Sequence, residues 1–263
     1  MRDKQPVLAV LAVLAVVIGF VWVANVMTAP KPTADDPVTA ATSTSDASAS
    51  SSASATATST PTPTPSPSVL PGCTPPPAAQ TTPKKMTTAP DIEAARGKTF
   101  VATITTNCGP ITIELHGDKA PATVSSFILL AKEGYWAPSP CHRLTGDEQG
   151  LWVLQCGDPT GTGAGPGPGY HFGIENAPTD GKYPAGTVAM ARTSDPNSNA
   201  DQFFITYKDT TLPTDGGGYS IFGTVTKGMD LIQKIAAAGV YSVDGMSPMA
   251  PISILSVTVA PKA

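Results

Sequence analysis

The sequence predicts a mainly β domain over residues 97–263, folded as a closed eight-stranded antiparallel barrel capped by two helices. Three observations favour this fold class. Short runs rich in β-branched and aromatic residues recur along the domain, glycine and proline separate them, and two stretches place apolar residues at helical spacing. A domain of this length can bury a full hydrophobic core.

The first 27 residues (1–27) are predicted to be an N-terminal membrane anchor. An almost unbroken apolar run extends from Val7 to Met27, and Arg2 and Lys4 precede it. A helix needs about 20 apolar residues to cross a bilayer, and flanking positive charge stays on the cytoplasmic side. The sequence therefore predicts a single-pass protein of the cell membrane with an extracytoplasmic C-terminal domain.

Residues 28–96 are predicted to be a disordered linker. Serine, threonine, alanine and proline dominate residues 28–71, so few side chains are available to form a core. Thr-Pro and Ser-Pro pairs in residues 60–67 favour extended polyproline II structure. We interpret the linker as a spacer that holds the domain away from the membrane. Glycosylation or partner binding are the alternatives.

The first elements of the domain are predicted to be a β-hairpin and a helix. Two β-branched runs, residues 100–106 and 111–115, flank the sequence Asn-Cys-Gly-Pro at residues 107–110, which is typical of a hairpin turn. A helix is expected over residues 120–132, where apolar residues recur at helical spacing and Pro121 lies in the first turn.

The stretch from residue 141 to residue 158 combines two apolar strand-like runs with a cation and an amide. If side chains alternate along the first run, Arg143 shares a face with Cys141, and His142 points the other way. Gln155 lies on the second run. A polar pair on an apolar surface is typical of a small-ligand or peptide site. The alternative is a single arginine that satisfies backbone carbonyl groups.

The rest of the domain alternates further strands with one more helix. Residues 161–169 are rich in glycine, but prolines interrupt them and neither common phosphate-binding motif fits, so they are predicted to be an ordinary loop. Strands are expected at residues 187–192, 202–207, 220–226 and 252–259, and a second helix at residues 228–238.

Charge and cysteine content narrow the possible functions. A net charge of −4 gives no electrostatic reason to expect nucleic acid, and the three histidines have no metal-ligand spacing. Four cysteines, an even number, favour disulfides in an exported domain. Cys141 is expected to pair with Cys156 and Cys73 with Cys108, each bridge contributing about 3 kcal/mol. Buried free thiols are the alternative.

Several short motifs occur in order along residues 99–259. They are Cys141-His142-Arg143-Leu144, Gln155-x-Gly157-Asp158, Met190-Ala191, Gln202-Phe203-Phe204-Ile205 and Ile221-Phe222-Gly223. Together they resemble the cyclophilin-type peptidyl-prolyl isomerases, and the anchor and linker are similar to those of bacterial membrane-anchored members. The resemblance implies a barrel with a substrate groove on its surface, proline-containing polypeptides as substrates, no cofactor and a monomeric domain.

The resemblance also implies roles for individual residues. Arg143, Gln155 and Phe204 match the catalytic positions, with Arg143 as the catalytic arginine and Phe204 as the floor of the proline pocket. The positions that the resemblance assigns to substrate binding are His142, Trp152, Val153, Ala191, Arg192, Gln202, Leu212 and Tyr219.

The chain departs from the family pattern at some of these positions. The connection from His142 to Gln155 is longer than the common form, and no tryptophan occurs in residues 209–212, which argues against tight cyclosporin binding more than against catalysis. Tyr219 stands where a histidine is frequent. Arg192 replaces an asparagine, so only its backbone role is carried over.

The resemblance implies catalysis without a covalent intermediate. A permanently charged Arg143 would donate to the prolyl nitrogen of a twisted amide, and the rate would stay flat from pH 6 to 8 because no group needs to titrate. The competing interpretation is a catalytically weak module that binds proline-containing segments, or acts as a chaperone, in the cell envelope. Measuring exchange on an Ala-Pro peptide would separate the two.

Overall fold

The computed structural model describes residues 66–263 of the chain. The predicted membrane anchor (residues 1–27) and most of the predicted linker lie outside the described residues. None of the helices within residues 66–263 is long and apolar enough to span a membrane.

Eleven strands and two α-helices make up the described part of the chain. The strands are β1 (Thr99–Thr106), β2 (Gly109–His116), β3 (Ser139–Pro140), β4 (Arg143–Leu144), β5 (Val153–Cys156), β6 (Lys182–Tyr183), β7 (Thr187–Met190), β8 (Phe203–Thr206), β9 (Thr210–Thr211), β10 (Ile221–Lys227) and β11 (Ser253–Pro261). The helices are α1 (Pro121–Lys132) and α2 (Met229–Ala237), and three-residue 3-10 turns lie at Ile92–Ala94, Asp147–Gln149 and Asp215–Gly217.

Nine of the strands form one curled antiparallel sheet in the order β3-β11-β1-β2-β10-β7-β8-β5-β4, and β6 pairs with β9 separately. The mainly β class and the two helices predicted from the sequence are confirmed. The predicted hairpin is β1–β2, which pairs without interruption from Thr99 opposite His116 to Thr106 opposite Gly109.

The closed eight-stranded barrel expected from the sequence is not what the structure shows. Within residues 66–263 the two edge strands, β3 and β4, form no ladder with each other, so the curled sheet stays open. Both strands belong to one short segment, residues 139–144, which leaves β11 after Pro140 and joins β5 at Arg143. Two-residue strands, one of them ending at a proline without an N–H group, cannot continue the ladder around the barrel.

An aromatic core fills the inside of the curled sheet and is covered by α1. The Phe127 ring of α1 lies 4.7 Å from Trp136, 5.9 Å from Phe203 and 5.6 Å from Phe222, measured between ring centroids. Because side chains alternate along β8, Phe203 points into this core and Phe204 points to the other face of the sheet. The same alternation therefore builds both the core and the floor of the surface site.

Residues 66–86, here called the strap, run along the domain although the sequence places them in the linker. The Cys73–Cys108 disulfide joins the strap to the turn between β1 and β2. The backbone N–H of Thr74 donates to the carbonyl of Asn107 (2.8 Å), and the Asn107 side-chain amide donates back to the Thr74 carbonyl (2.7 Å). The predicted pairing of Cys73 with Cys108 is confirmed.

Candidate active site

A single row of side chains crosses five neighbouring strands on the outer face of the sheet. Arg143 of β4 is opposite Gln155 of β5, Gln155 is opposite Phe204 of β8, and Phe204 is opposite Ala189 of β7. Ala189 is in turn opposite Ile221 of β10. Directly opposed residues share a face of the sheet. Two strand spacings, about 10 Å in total, separate the backbones of Arg143 and Phe204.

The centre of this row is apolar and closely packed. Phe204 is 5 % exposed and belongs to a buried cluster with Val153, Tyr183, Ala189 and Leu212. The Tyr219 ring meets Phe204 edge to face, with the centroids 5.7 Å apart. Val153 and Leu212 therefore lie beside Phe204 as expected, and together these groups form an apolar cluster at the centre of the row. We call this cluster, with Tyr219, the apolar half of the site.

The edge of the row is polar and is connected by hydrogen bonds. Arg143 Nη1 donates to Gln155 Oε1 (3.2 Å), and Gln155 Nε2 donates to Gln202 Oε1 (3.0 Å). Gln202 Nε2 then donates to the carbonyl of Gly163 (3.1 Å). We call Arg143, Gln155 and Gln202 the polar half of the site. The structure brings these three predicted residues together.

The guanidinium of Arg143 retains donors for a bound molecule. Gln155 is its one hydrogen-bond partner among residues 66–263, and a guanidinium carries five N–H groups. Partial burial lowers the pKa of Arg143 from its ordinary value, and the nearby Tyr219 acts in the opposite direction. Arginine nonetheless stays charged in proteins, so the site presents a partly desolvated cation beside the apolar half.

Arg192 is placed near the site, but its side chain holds a loop. Its Nε donates to the Gly218 carbonyl (2.7 Å) and its Nη2 to the Asp215 carbonyl (3.1 Å). The guanidinium carbon lies 5.0 Å from the centre of the Tyr219 ring, within cation–π range. Arg192 therefore supports the wall that Tyr219 forms against Phe204, a role that the sequence did not predict.

Trp152 lies outside the apolar half, contrary to the expectation that it forms a pocket wall. It precedes Val153, and neighbouring residues of a strand point to opposite faces. The indole packs at the edge of the main core, donates to Asp147 Oδ1 (2.7 Å) and lies 5.3 Å from the Lys208 ammonium group. The tryptophan borders a separate cavity of about 500 Å³ on the other side of β5.

His142 is also absent from the substrate-facing surface. Its imidazole is 6 % exposed and lies under Gly163, where an added Cβ would come within 3.0 Å of the ring. Burial lowers the pKa of His142, while Asp158 opposes that change. The ring is therefore neutral at physiological pH and serves as packing beneath the glycine-rich loop, which we define as residues 157–169.

The second disulfide lies directly beneath the polar half. Cys141 and Cys156 are bonded, as predicted, and both lie in the main core. The expectation that Cys141 shares a face with Arg143 was wrong, because residues 141 and 142 fall between β3 and β4 and interrupt the alternation. The disulfide links the segment before Arg143 to the residue after Gln155.

The comparisons with known proteins agree with this arrangement. Residues 101–259 match the family model described as "Cyclophilin type peptidyl-prolyl cis-trans isomerase/CLD". The chain belongs to this family. Among solved structures, a cyclophilin-type peptidyl-prolyl cis-trans isomerase from Cryptosporidium parvum superposes with a TM-score of 0.53 at 30% identity, covering 63% of this chain and 99% of that one.

Two bacterial relatives illustrate how far the similarity extends. The "Probable peptidyl-prolyl cis-trans isomerase B" of Mycobacterium tuberculosis is 42% identical over 167 residues, which cover 58% of this chain and 52% of the relative. The Helicobacter pylori "Peptidyl-prolyl cis-trans isomerase" is 37% identical over 145 residues, 54% of this chain and 84% of the relative. The chain thus spans about half the length of the mycobacterial protein.

The structure adds one residue to the cyclophilin site that the sequence did not single out. The Tyr183 hydroxyl accepts from the Tyr219 backbone N–H (2.9 Å) and donates to the Tyr219 carbonyl (3.1 Å). Its ring lies 6.2 Å from that of Phe204. Tyr183 lies on the two-residue strand β6, which is too short to give a periodic signal, so its position follows only from the pairing of β6 with β9.

Ala191, the remaining predicted position, lies at the border between the two halves. Ala191 packs against the apolar cluster, and its N–H donates to the Gln202 carbonyl (2.9 Å). A smaller cavity of about 140 Å³ is lined by Gln155, Ala191 and Gln202 among others. Within residues 66–263 no group of three or more His, Cys, Asp or Glu side chains is placed to hold a metal ion.

Proposed function

We propose that this protein is a peptidyl-prolyl cis–trans isomerase that accelerates rotation of Xaa-Pro bonds in polypeptides. The observation that carries the proposal is the shared row, which places the donors of Arg143 and the apolar cluster around Phe204 on one face of the sheet. One of the solved structures similar to this chain, the second from Cryptosporidium parvum (TM-score 0.52), was determined in the presence of the dipeptide Ala-Pro.

The chemistry needs stabilisation of a twisted amide and no bond breaking. Amide resonance sets a rotation barrier of about 18–20 kcal/mol, and the uncatalysed exchange takes tens of seconds or more. When the bond twists, conjugation is lost and the prolyl nitrogen becomes pyramidal with a localised lone pair. A donor aimed at that lone pair therefore binds the transition state more strongly than the planar ground state.

Arg143 supplies that donor, and the apolar half holds the ring. The proline ring packs against the apolar cluster around Phe204, which fixes the amide beside the guanidinium. Gln155 orients the guanidinium from one side and, with Gln202, offers amide groups to the substrate backbone. An acceleration of about 10⁵-fold requires about 7 kcal/mol, which a charge-assisted hydrogen bond combined with pocket binding can supply.

We further propose that the domain acts outside the cytoplasm, tethered by residues 1–27. The apolar run from Val7 to Met27 with positive residues before it supports an anchor whose C-terminal side faces outward. The two disulfides support an oxidising compartment, because such bonds persist mainly in exported proteins. The substrates would then be proline-containing segments of extracytoplasmic polypeptides.

The test is exchange spectroscopy by NMR on an Ala-Pro peptide with the full chain. We expect the wild type to accelerate cis–trans exchange and Arg143→Ala to lower kcat/KM at least tenfold, about 1.4 kcal/mol or more. Arg96→Ala is the matched control, because Arg96 is exposed and pairs with Glu93 away from the row. A wild type that binds the peptide without accelerating exchange would instead identify the chain as a binding module.

A further inference from the structure

The strap contacts the glycine-rich loop at both of the loop's ends. The backbone N–H of Gln80 donates to the Pro159 carbonyl (2.9 Å), and that of Met86 donates to the Pro168 carbonyl (2.8 Å). Between these two contacts Pro83 of the strap is buried. The loop behind the polar half is therefore hydrogen-bonded to a segment more than seventy residues earlier in the chain.

Gln80 makes three hydrogen bonds that connect the strap to the domain. Besides its backbone bond to Pro159, its Nε2 donates to the carbonyls of Tyr135 and Pro138, both at 2.9 Å. Those two residues lie just before β3 and the Arg143 segment. The side chain of Gln80 thus joins the strap to the turn that leads into β3. The backbone N–H of Gln80 joins the strap to the start of the glycine-rich loop.

The glycine-rich loop is organised internally around one carboxylate. The side chain of Asp158 accepts hydrogen bonds from the backbone N–H groups of Thr160 (2.8 Å), Thr162 (3.2 Å) and Gly165 (3.1 Å). Gly165 has no room for a side chain, since an added Cβ would lie 2.2 Å from Asp158 Oδ1. Because the loop folds onto one side chain, a displacement at Pro159 is transmitted to the rest of the loop.

The loop in turn fixes the polar half. Its Gly163 carbonyl accepts the hydrogen bond from Gln202 Nε2 and so sets which face of that amide meets Gln155. Gln155 then presents its Oε1 to Arg143. In this series of hydrogen bonds each amide donates through Nε2 and accepts through Oε1. Turning the Gln202 amide over would therefore place its Nε2 against the Nε2 of Gln155, and two donors cannot bond to each other.

We propose that Gln80 is a positioning residue for the isomerase site. It holds the glycine-rich loop so that Gly163 keeps Gln202, and through Gln202 the groups of Gln155 and Arg143, in their working orientation. A glycine-rich loop loses much conformational freedom on ordering, so an external contact of this kind is needed to keep it in one state. The inference rests on the proposed function, since the orientation matters for donation to the prolyl nitrogen.

The experiment is a double-mutant cycle in the full chain with Gln80→Ala and Gln202→Ala. Gln80→Ala removes the two side-chain bonds to Tyr135 and Pro138 that hold the strap in place, and so loosens the backbone bond of residue 80 to Pro159. We expect it to lower kcat/KM about three- to tenfold, mainly through kcat, because misorientation of a donor affects the transition state more than binding. In the Gln202→Ala background the same substitution should have less than half of that effect, since the loop no longer has an amide to orient.

The matched control is Lys84→Ala, which removes the ion pair of Lys84 with Glu133 from the same strap without touching the glycine-rich loop. It should leave kcat/KM unchanged. Equal losses from Gln80→Ala in both backgrounds, or no loss at all, would overturn the positioning role. A second readout is independent of activity: the side-chain amide resonances of Gln202 should shift in Gln80→Ala and stay in place in Lys84→Ala.

The two proposals fail in distinguishable ways. If the wild type does not accelerate exchange, the proposed function is wrong, and the Gln202 resonances still decide whether Gln80 orients the polar half. If the wild type is active and those resonances do not respond to Gln80→Ala, the positioning role is wrong and the isomerase assignment stands.

Discussion

The two halves of the site are built in different ways. The apolar half lies on adjacent strands: Phe204, Val153 and Ala189 are held by the ladders of β5, β7 and β8 and by burial of their own side chains. The polar half lies at the open edge of the sheet. There Arg143 stands on a two-residue strand, and its orientation depends on amides that reach the glycine-rich loop.

The difference indicates where the site is robust and where it depends on distant parts of the chain. Burial is non-directional, so the apolar half tolerates small adjustments of its members. Hydrogen bonds need their partners in place, so a single displaced amide alters the polar half. We therefore expect substitutions in the apolar half to change stability and binding together, and substitutions around the polar half to separate stability from rate.

The largest effect is predicted for the apolar half. Phe204→Ala removes a 5 %-exposed ring from the cluster, and we expect the free energy of unfolding to fall by about 3 kcal/mol, as for other buried phenylalanines. Loss of the pocket floor should also lower kcat/KM on the order of 100-fold, chiefly through weaker binding. Chemical denaturation and the Ala-Pro exchange assay measure the two quantities.

Phe204→Leu is the control for this prediction. It keeps an apolar side chain of similar burial and removes the flat ring, so stability should recover by about half while proline selectivity remains impaired. Full activity in a folded Phe204→Ala variant would show that the ring does not form the floor of the proline pocket.

Most of the apolar half was predicted through the resemblance to cyclophilin-type isomerases, which assigned Phe204, Val153 and Leu212 to the proline pocket. Alternation along strands, a local signal, explains which face each strand residue takes. The alternation of Phe203 and Phe204 follows from the period of a strand, and both residues lie on the faces that this period requires. The same rule, applied to the stretch around Arg143, failed for Cys141, because the strand is interrupted at residues 141 and 142.

Other features depend on contacts between distant segments and left no periodic signal. Composition placed residues 66–96 in a linker, yet the Cys73–Cys108 disulfide, the side-chain amide of Gln80 and the buried Pro83 hold residues 66–86 against the domain. Trp152 was assigned to the groove by resemblance, although its neighbour Val153 occupies that face. Tyr183 was missed because its strand has only two residues.

A smaller effect, on stability, is predicted for substitution of Asp201, a buried residue next to the polar half. This residue precedes Gln202, is 6 % exposed and accepts a hydrogen bond from the Tyr135 hydroxyl (2.6 Å). Burial, reinforced by the charge of Asp158, raises the pKa of Asp201 to about 6, although the bond from Tyr135 acts in the opposite direction. The carboxylate is therefore ionised at neutral pH in an environment that disfavours its charge.

The sign of the pH dependence follows from that shift. Between about pH 4 and pH 6 the folded state holds a proton on Asp201 that the unfolded chain has lost, so the stability from this residue falls as pH rises through that window. We expect Asp201→Asn to abolish this part of the pH dependence and to make the protein more stable than wild type at pH 7, by about 3 kcal/mol at most.

Urea denaturation of both chains at pH 4.5 and pH 7 measures the difference. The exposed Asp118, which makes no side-chain hydrogen bond within the described part of the chain, provides the control variant Asp118→Asn. That control should follow the wild type at both pH values. An Asp201→Asn variant that is less stable than wild type at pH 7 would mean that the ionised carboxylate contributes more through Tyr135 than burial takes away.

The smallest effect is predicted for the pH dependence of the rate. Arg143 stays protonated throughout, and the His142 imidazole, whose pKa burial lowers, is packed beneath the glycine-rich loop and makes no side-chain hydrogen bond to the polar half within residues 66–263. Asp201 does change charge near pH 6, but its hydrogen bond runs to Tyr135 and not to the amides of the polar half. We therefore expect kcat/KM to vary less than about twofold from pH 6 to 8.

The test measures exchange rates from pH 6 to 8 at constant ionic strength, in wild type and in Asp201→Asn. Together with the urea denaturation data it compares the pH dependence of the rate with that of stability. Asp201→Asn should gain stability relative to wild type between pH 4.5 and pH 7, whereas the two rate profiles should both be flat from pH 6 to 8. A rate that rises with a histidine-like midpoint would assign the chemistry to His142. A midpoint near pH 6 that disappears in Asp201→Asn would instead show that the charge of Asp201 reaches the polar half through Gln202.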